Sequence, residues 1–187
     1  GLEKMRSNKL FYHPGVQHML DDPRYQCELG YSSTSDRNKK KPLENADPAS
    51  LFIDRNLQLL KPGGRLLIVL PDGVLSNSGD KYIREYLMGL KDEETGEFFG
   101  GKAVVKAVVS LPTQTFAISG TGAKTSFLFV QKKGTYTVSG QTITVDRQGP
   151  IFMAVAEHVG YIKKGNDEHP DPFGNDLKPI ADAYSKG

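Results

Sequence analysis

From Asn45 onward, apolar residues recur in an order that alternates between helix and strand. In NADPASLFIDRNLQLLKPGGR, Leu51, Phe52, Leu57 and Leu60 share one helical face, Asp47 is placed to cap the helix and Pro48 to open it. A helix ending at Lys61 is predicted, stopped by Pro62 and the Gly63–Gly64 pair. RLLIVLPDG follows as an unbroken apolar run bounded by turn residues, the pattern of a strand buried on both faces. DKYIREYLMGL repeats the helical spacing on Tyr82, Ile83, Tyr86, Leu87 and Leu90, with Asp80 as a cap, and EETGEFFGG reads as a turn-rich connection.

Two further strands are predicted, KAVVKAVVSL and KTSFLFVQKK. The roughly 13 residues between them hold Pro112, Gly120 and Gly122 and no helical face, whereas a parallel crossover normally carries a helix. The pair is therefore expected to run antiparallel. GTYTVSGQTITVDRQGP alternates about Ser139–Gly140 as a hairpin, IFMAVAEHVGYIKKG reads as one strand, and NDLKPIADAYSKG as a terminal helix with Pro179 in its first turn. The pattern divides the chain into an irregular arm over 1–44, an α/β unit over 45–133, and a hairpin, extra strand and helix over 134–187.

Composition adjusts this picture in a few places. Of the 187 residues, 37% are hydrophobic, enough for the core of one domain. Neither a membrane-length apolar run nor a signal-peptide core is visible, and the single Cys27 fits a reducing compartment, so a cytoplasmic protein is expected. Cys27 itself is read as a buried or idle thiol. The net charge of +2 does not demand a polyanionic partner, yet RNKKK gathers Arg37, Lys39, Lys40 and Lys41 into a solvated loop or a phosphate contact. Gly1 stands where a Met would begin a nascent chain, which suggests processing, excision from something longer, or a residue left by cloning.

The candidate chemistry is narrow. SGTGAKTS resembles a phosphate-binding loop, but Ala123 precedes Lys124, the glycine spacing is short, and a strand rather than a helix follows, so nucleotide hydrolysis is rejected. KPGGR likewise ends a helix and admits a strand, a structural role. LPDG lies at the carboxyl end of a strand, where α/β sheets place their ligands, so Asp72 either caps the next turn or faces a substrate. His13, His18, His158 and His169 form no metal or triad spacing. DPRY at 22–25 has Arg24 where an amino-methyltransferase signature has its second proline, and reads as a turn.

PASLFIDRNLQLLKPGGRLLIVLPDGVLSN, then VVSLPTQTFAISGTGAKTSFLFVQKK, then GYIKKG and NDL, together resemble the N-6 adenine DNA methyltransferases of type I restriction-modification systems, in the second half of the catalytic domain of the modification subunit. The resemblance covers roughly residues 45–178. It implies a partial Rossmann-like S-adenosylmethionine-dependent methyltransferase fold of the α/β class, with a mixed sheet whose last two strands are antiparallel. RLLIVLPDG would be the fifth strand of seven, KAVVKAVVSL the sixth and KTSFLFVQKK the seventh. Phe116 falls where related enzymes place an aromatic residue against the flipped adenine. It would restore part of the lost stacking or, equally, plug its loop into the core. Lys124 could meet a phosphate nearby.

Two departures bear on activity. The glycine-containing cofactor loop after the first strand and the acidic residue after the second are missing, as is the N-P-P-Y/F tetrapeptide that holds the target amine. The resemblance therefore implies a fragment, inactive alone, with no catalytic or cofactor-binding residue of its own. S-adenosylmethionine belongs to the full-length parent. The implied partners are DNA, the missing N-terminal half, a specificity subunit and a restriction subunit, with no membrane; an open sheet edge would favour self-association. The other reading is a non-catalytic DNA-binding or interaction module.

Overall fold

The computed structural model describes residues 47–186, together with the backbone of two short strands, β1 (Gly30–Tyr31) and β2 (Lys41–Pro42), which pair antiparallel. Helix α1 (Pro48–Leu59) begins as the sequence predicts: the Asp47 carboxylate accepts from the Ala49 N–H at 2.7 Å and Pro48 opens the first turn. It ends at Leu59, two residues before Lys61, and its buried apolar face is Leu51, Ile53 and Leu57, whereas Phe52 is 36% exposed. The same face buries Ser50 and Asp54.

Gly63 and Gly64 turn the chain into β3 (Arg65–Pro71). Gly63 has φ +74°, and a Cβ there would lie 2.2 Å from the Tyr136 ring, so both the backbone and the space call for glycine. After β3 come a short helix α2 (Asp72–Ser76), a 3₁₀ turn at Ser78–Asp80, and α3 (Lys81–Met88). Asp80 stands at the α3 N-cap position but makes no capping hydrogen bond. The helix stops at Met88, before Leu90, because Gly89 adopts φ +99°. Leu90 lies instead in β4 (Leu90–Lys91), paired antiparallel with β5 (Phe98–Phe99).

The main sheet is built from β6 (Ala103–Ser110), β7 (Thr125–Lys132), β3 and, later in the chain, β10 (Phe152–Val155), in the order β10-β6-β7-β3. β6 and β7 are antiparallel, as their linker predicts; β7 and β3 are antiparallel, and β10 runs parallel to β6. The result is a mixed sheet in an α/β fold. One face carries Leu70, Leu128 and Val130 into the main core against Leu51, Ile53 and Leu57 of α1 and Ile83, Tyr86 and Leu87 of α3. Burying side chains of this size is worth about 1.5–3 kcal/mol each, which makes this layer the principal source of stability.

The opposite face corrects the reading of RLLIVLP as a doubly buried strand. Leu67 is 63% exposed and Val69 is 37% exposed. The cause is position: among the described residues β3 ends the sheet, and the helix on this side packs Tyr184 edge-on against Phe129 at 5.9 Å and Phe152 at 5.5 Å, towards β7 and β10. An apolar cavity of about 300 Å³ remains between Leu67, Phe129 and Phe152 of the sheet and Leu177, Ile180 and Tyr184 of that helix.

The remaining segments are a two-stranded ribbon, a hairpin and the terminal helix. β8 (Gly134–Val138) and β9 (Gln141–Val145) form the expected ribbon, with Ser139 at φ +50° and Gly140 at φ +80°, the left-handed pair that a two-residue hairpin turn needs. The single strand expected over 151–165 is two: β10, then β11 (Val159–Lys164), broken at Ala156–His158. β11 pairs antiparallel with β12 (Asp167–Asn175), which its two prolines hid from the sequence reading. α4 (Leu177–Lys186) closes the chain where a helix was predicted.

Candidate functional site

The sheet registers bring three exits to one rim. Pro71 at the end of β3 pairs with Thr125 at the start of β7, Ser126 pairs with Ser110 at the end of β6, and Ser110 pairs with Val155 at the end of β10. The carboxyl ends of β3, β6 and β10 therefore open on the same side, where α/β sheets hold ligands. Asp72, the loop 111–124 and the turn 156–158 leave from this rim.

Asp72 occupies the first position of α2, beyond the N-cap residue Pro71. Its carboxylate accepts from the Ser126 Oγ at 2.5 Å, and its N–H donates to the Lys124 carbonyl at 3.0 Å. A carboxylate held by a hydroxyl is neither a turn cap nor a free substrate group, an outcome between the two that the sequence offers. Lys124 donates from Nζ to the Leu111 carbonyl at 2.5 Å, across the neck of the loop, so here it latches the loop instead of facing solvent. Thr125 beside it is buried, and its Oγ1 has no hydrogen-bond partner. A buried hydroxyl without a partner costs about 1–3 kcal/mol, so this corner of the rim is unsatisfied.

Phe116 ends a 3₁₀ turn (Thr113–Phe116) and is half-buried, packed against the small core of Leu111, Ala156 and Val159. This packing ties the loop to the small core. The loop is followed by β7 and not by a helix, the context on which a phosphate-loop assignment fails.

Residues that the sequence reading passed over hold this loop in place. Tyr161 donates its hydroxyl to the Thr115 carbonyl, and Lys163 Nζ donates to the Ala117 carbonyl at 3.0 Å. The turn behind them is tied by carboxylates: Asp176 accepts from the N–H groups of Glu157 and His158, each at 2.9 Å, and Asp171 lies 3.0 Å from His158 Nδ1. The Phe173 N–H and then His158 hold the Asp171 carboxyl below the usual carboxylate range, and the two N–H bonds do the same for Asp176. His158 and Asp171 lie 13 residues apart in sequence, and the β11–β12 turn brings them together. Among the described residues no three His, Cys, Asp or Glu side chains gather as metal ligands.

Of the other candidates, Arg37, Lys39 and Lys40 lie outside the described residues, as do Cys27 and the DPRY segment, and for Lys41 the backbone alone is described. On the strand mapping that the resemblance implies, β3, β6 and β7 are the fifth, sixth and seventh strands, and the loop for S-adenosylmethionine would follow the first. At the β3–α2 corner the strand passes directly into the helix, a Cβ on Gly73 would lie 2.8 Å from Asn77 Nδ2, and the Asp72 carboxylate is engaged by Ser126.

Comparison with known proteins gives the context. Among solved structures, the chain is similar to a candidate class I S-adenosylmethionine-dependent methyltransferase from Listeria monocytogenes, at 19% identity and a TM-score of 0.45, over 73% of this chain and 32% of that one. Among curated proteins it is 32% identical over 97 residues to defense against restriction protein B of Escherichia phage P1. That match takes in 51% of this chain and 4% of the phage protein, so the chain spans a small part of its relative's length. The model of the N-6 DNA methylase family matches residues 12–185, nearly the whole sequence, and the chain belongs to that family.

Proposed function

We propose that this chain is the target-base half of a site-specific DNA adenine methyltransferase of a type I restriction-modification system. The parent would transfer the methyl group of S-adenosylmethionine to the exocyclic nitrogen of adenine by direct attack of the amine. The observation that carries the reading is the family match over 12–185, joined to a rim where Asp72 and the Phe116 loop are hydrogen-bonded into one unit. Half-buried Phe116 would stack on a base taken out of the duplex, and Lys124 would reach a phosphate on leaving the Leu111 carbonyl. The basic run 37–41 would add backbone contacts.

The chain would be inactive alone, on the reading that its sequence lacks the glycine-containing cofactor loop and the N-P-P-Y/F tetrapeptide. Its implied partners are DNA, the N-terminal half of the methyltransferase fold seated along β3, and the specificity and restriction subunits of a cytoplasmic system. The same missing motifs also favour a second reading, a non-catalytic DNA-binding or interaction module. The test is to incubate the full-length gene product, with its specificity subunit if its operon encodes one, with unmethylated DNA and radiolabelled S-adenosylmethionine. Label on adenine N6 is expected; no label, with no cofactor binding by calorimetry, would leave the second reading.

A further inference from the structure

We propose that Tyr161 and Lys163 are positioning residues for Phe116, a two-point clamp by which the β11–β12 hairpin sets the base-facing loop. This rests on the target-base reading above. The two side chains lie two positions apart on β11 and so share one face of the strand. They donate to the carbonyls of Thr115 and Ala117, the residues immediately before and after Phe116. The Thr115 carbonyl belongs to the peptide plane that precedes Phe116 and the Ala117 carbonyl to the plane one residue beyond the one that follows it, so the two bonds bracket Phe116 and limit the rotation of the backbone that carries its side chain. The loop's own bonds hold the peptide that follows Phe116, with the Ala117 N–H donating to the Gln114 carbonyl at 3.0 Å and the Phe116 carbonyl accepting from the Thr121 N–H at 3.3 Å, and the hairpin adds its two bonds from outside the loop.

The hairpin is built to hold that aim. The ladder is irregular between Val159 and Tyr161, whose partners Asn175 and Pro170 lie five residues apart, and Gly160 between them sits at φ +90°, a bulge of the kind that redirects the next side chain. Asn175 Nδ2 donates to the Val159 carbonyl at 3.2 Å, and a Cβ on Gly160 would lie 2.9 Å from that amide nitrogen, so the bulge accepts glycine alone. Asp176 and the Asp171–His158 pair then fix the base of the hairpin to the turn that leaves the main sheet. A continuous run of contacts thus joins β10, the hairpin and the loop.

The chain contains no tryptophan, so Phe116→Trp places a single indole at the clamped position. In that background Tyr161→Phe with Lys163→Met is expected to raise iodide quenching of the indole about twofold or more as the loop opens locally. Unchanged quenching would overturn the clamp, whatever the parent's activity. The second arm uses the full-length enzyme: Tyr161→Phe with Lys163→Met is expected to lower kcat for adenine methylation about tenfold, with a smaller change in KM for DNA. The same pair in a Phe116→Ala background should cost little further, because the clamp acts through that ring. A full additional loss there would show that Tyr161 and Lys163 act elsewhere, whereas a wild-type enzyme without activity would count against the target-base reading and leave the quenching result standing.

Discussion

At the residue scale, the balance of this rim is set by polar groups that are held and one that is not. The Asp176 carboxylate is kept below the usual range by two backbone N–H bonds, so its stabilising contribution is fully present above the ordinary carboxylate pKa of 3.8 and is lost as pH falls through the lower folded value. Asp176→Asn should therefore unfold at a lower temperature than the native chain at pH 7, and the gap should close as pH falls towards 3; a gap that does not depend on pH would mean that Asp176 acts without its charge. Thr125 is the opposite case, a buried hydroxyl with no partner. Thr125→Val removes that cost and keeps the shape, so chemical denaturation should find the variant unchanged or more stable by up to about 1 kcal/mol. A loss of stability would reveal a partner for the hydroxyl.

Among the elements, α1 and α3 are joined by polar bonds within an apolar layer: the Tyr86 hydroxyl donates to buried Asp54 at 2.6 Å, and the Tyr82 hydroxyl donates to Ser50 at 3.0 Å. Burial raises the pKa of the Tyr82 phenol, which keeps it a neutral donor well past neutral pH. Tyr86→Phe deprives a buried carboxylate of a donor and is expected to cost about 1–3 kcal/mol in urea unfolding. A change below a few tenths of a kcal/mol would mean that the bond is easily replaced. These elements were largely legible beforehand, because α1 has its cap and opening proline, and β6 and β7 are joined by a linker that cannot form a crossover helix. The exposure of β3 was not legible, since an apolar run is the same string of letters at the edge or the centre of a sheet. β12 was hidden by Pro170 and Pro172, which a two-stranded ribbon tolerates. Tyr161 and Lys163 carried no signal, because their partners are carbonyls, which every residue has.

For the whole molecule, the described sheet ends at β3 with Leu67 and Val69 open to solvent, an edge of the sort that seeks another strand. Concentration-dependent self-association is expected in light scattering, and Leu67→Lys should suppress it while leaving the fold intact by circular dichroism; a monodisperse native monomer at high concentration would contradict this. Under the proposed target-base reading, the rim from which Asp72, Lys124 and Phe116 leave the sheet would form part of a base-handling site, and the rest of the fold would lie across β3. The most direct test is to measure adenine methylation by the full-length enzyme with Phe116→Ala and Phe116→Tyr. A stacking contact of about 1–3 kcal/mol predicts that the alanine variant loses roughly 5- to 150-fold in kcat/KM and that the tyrosine variant recovers most of it. Wild-type kcat/KM in the alanine variant would mean that Phe116 only anchors its loop and that the target base is held elsewhere.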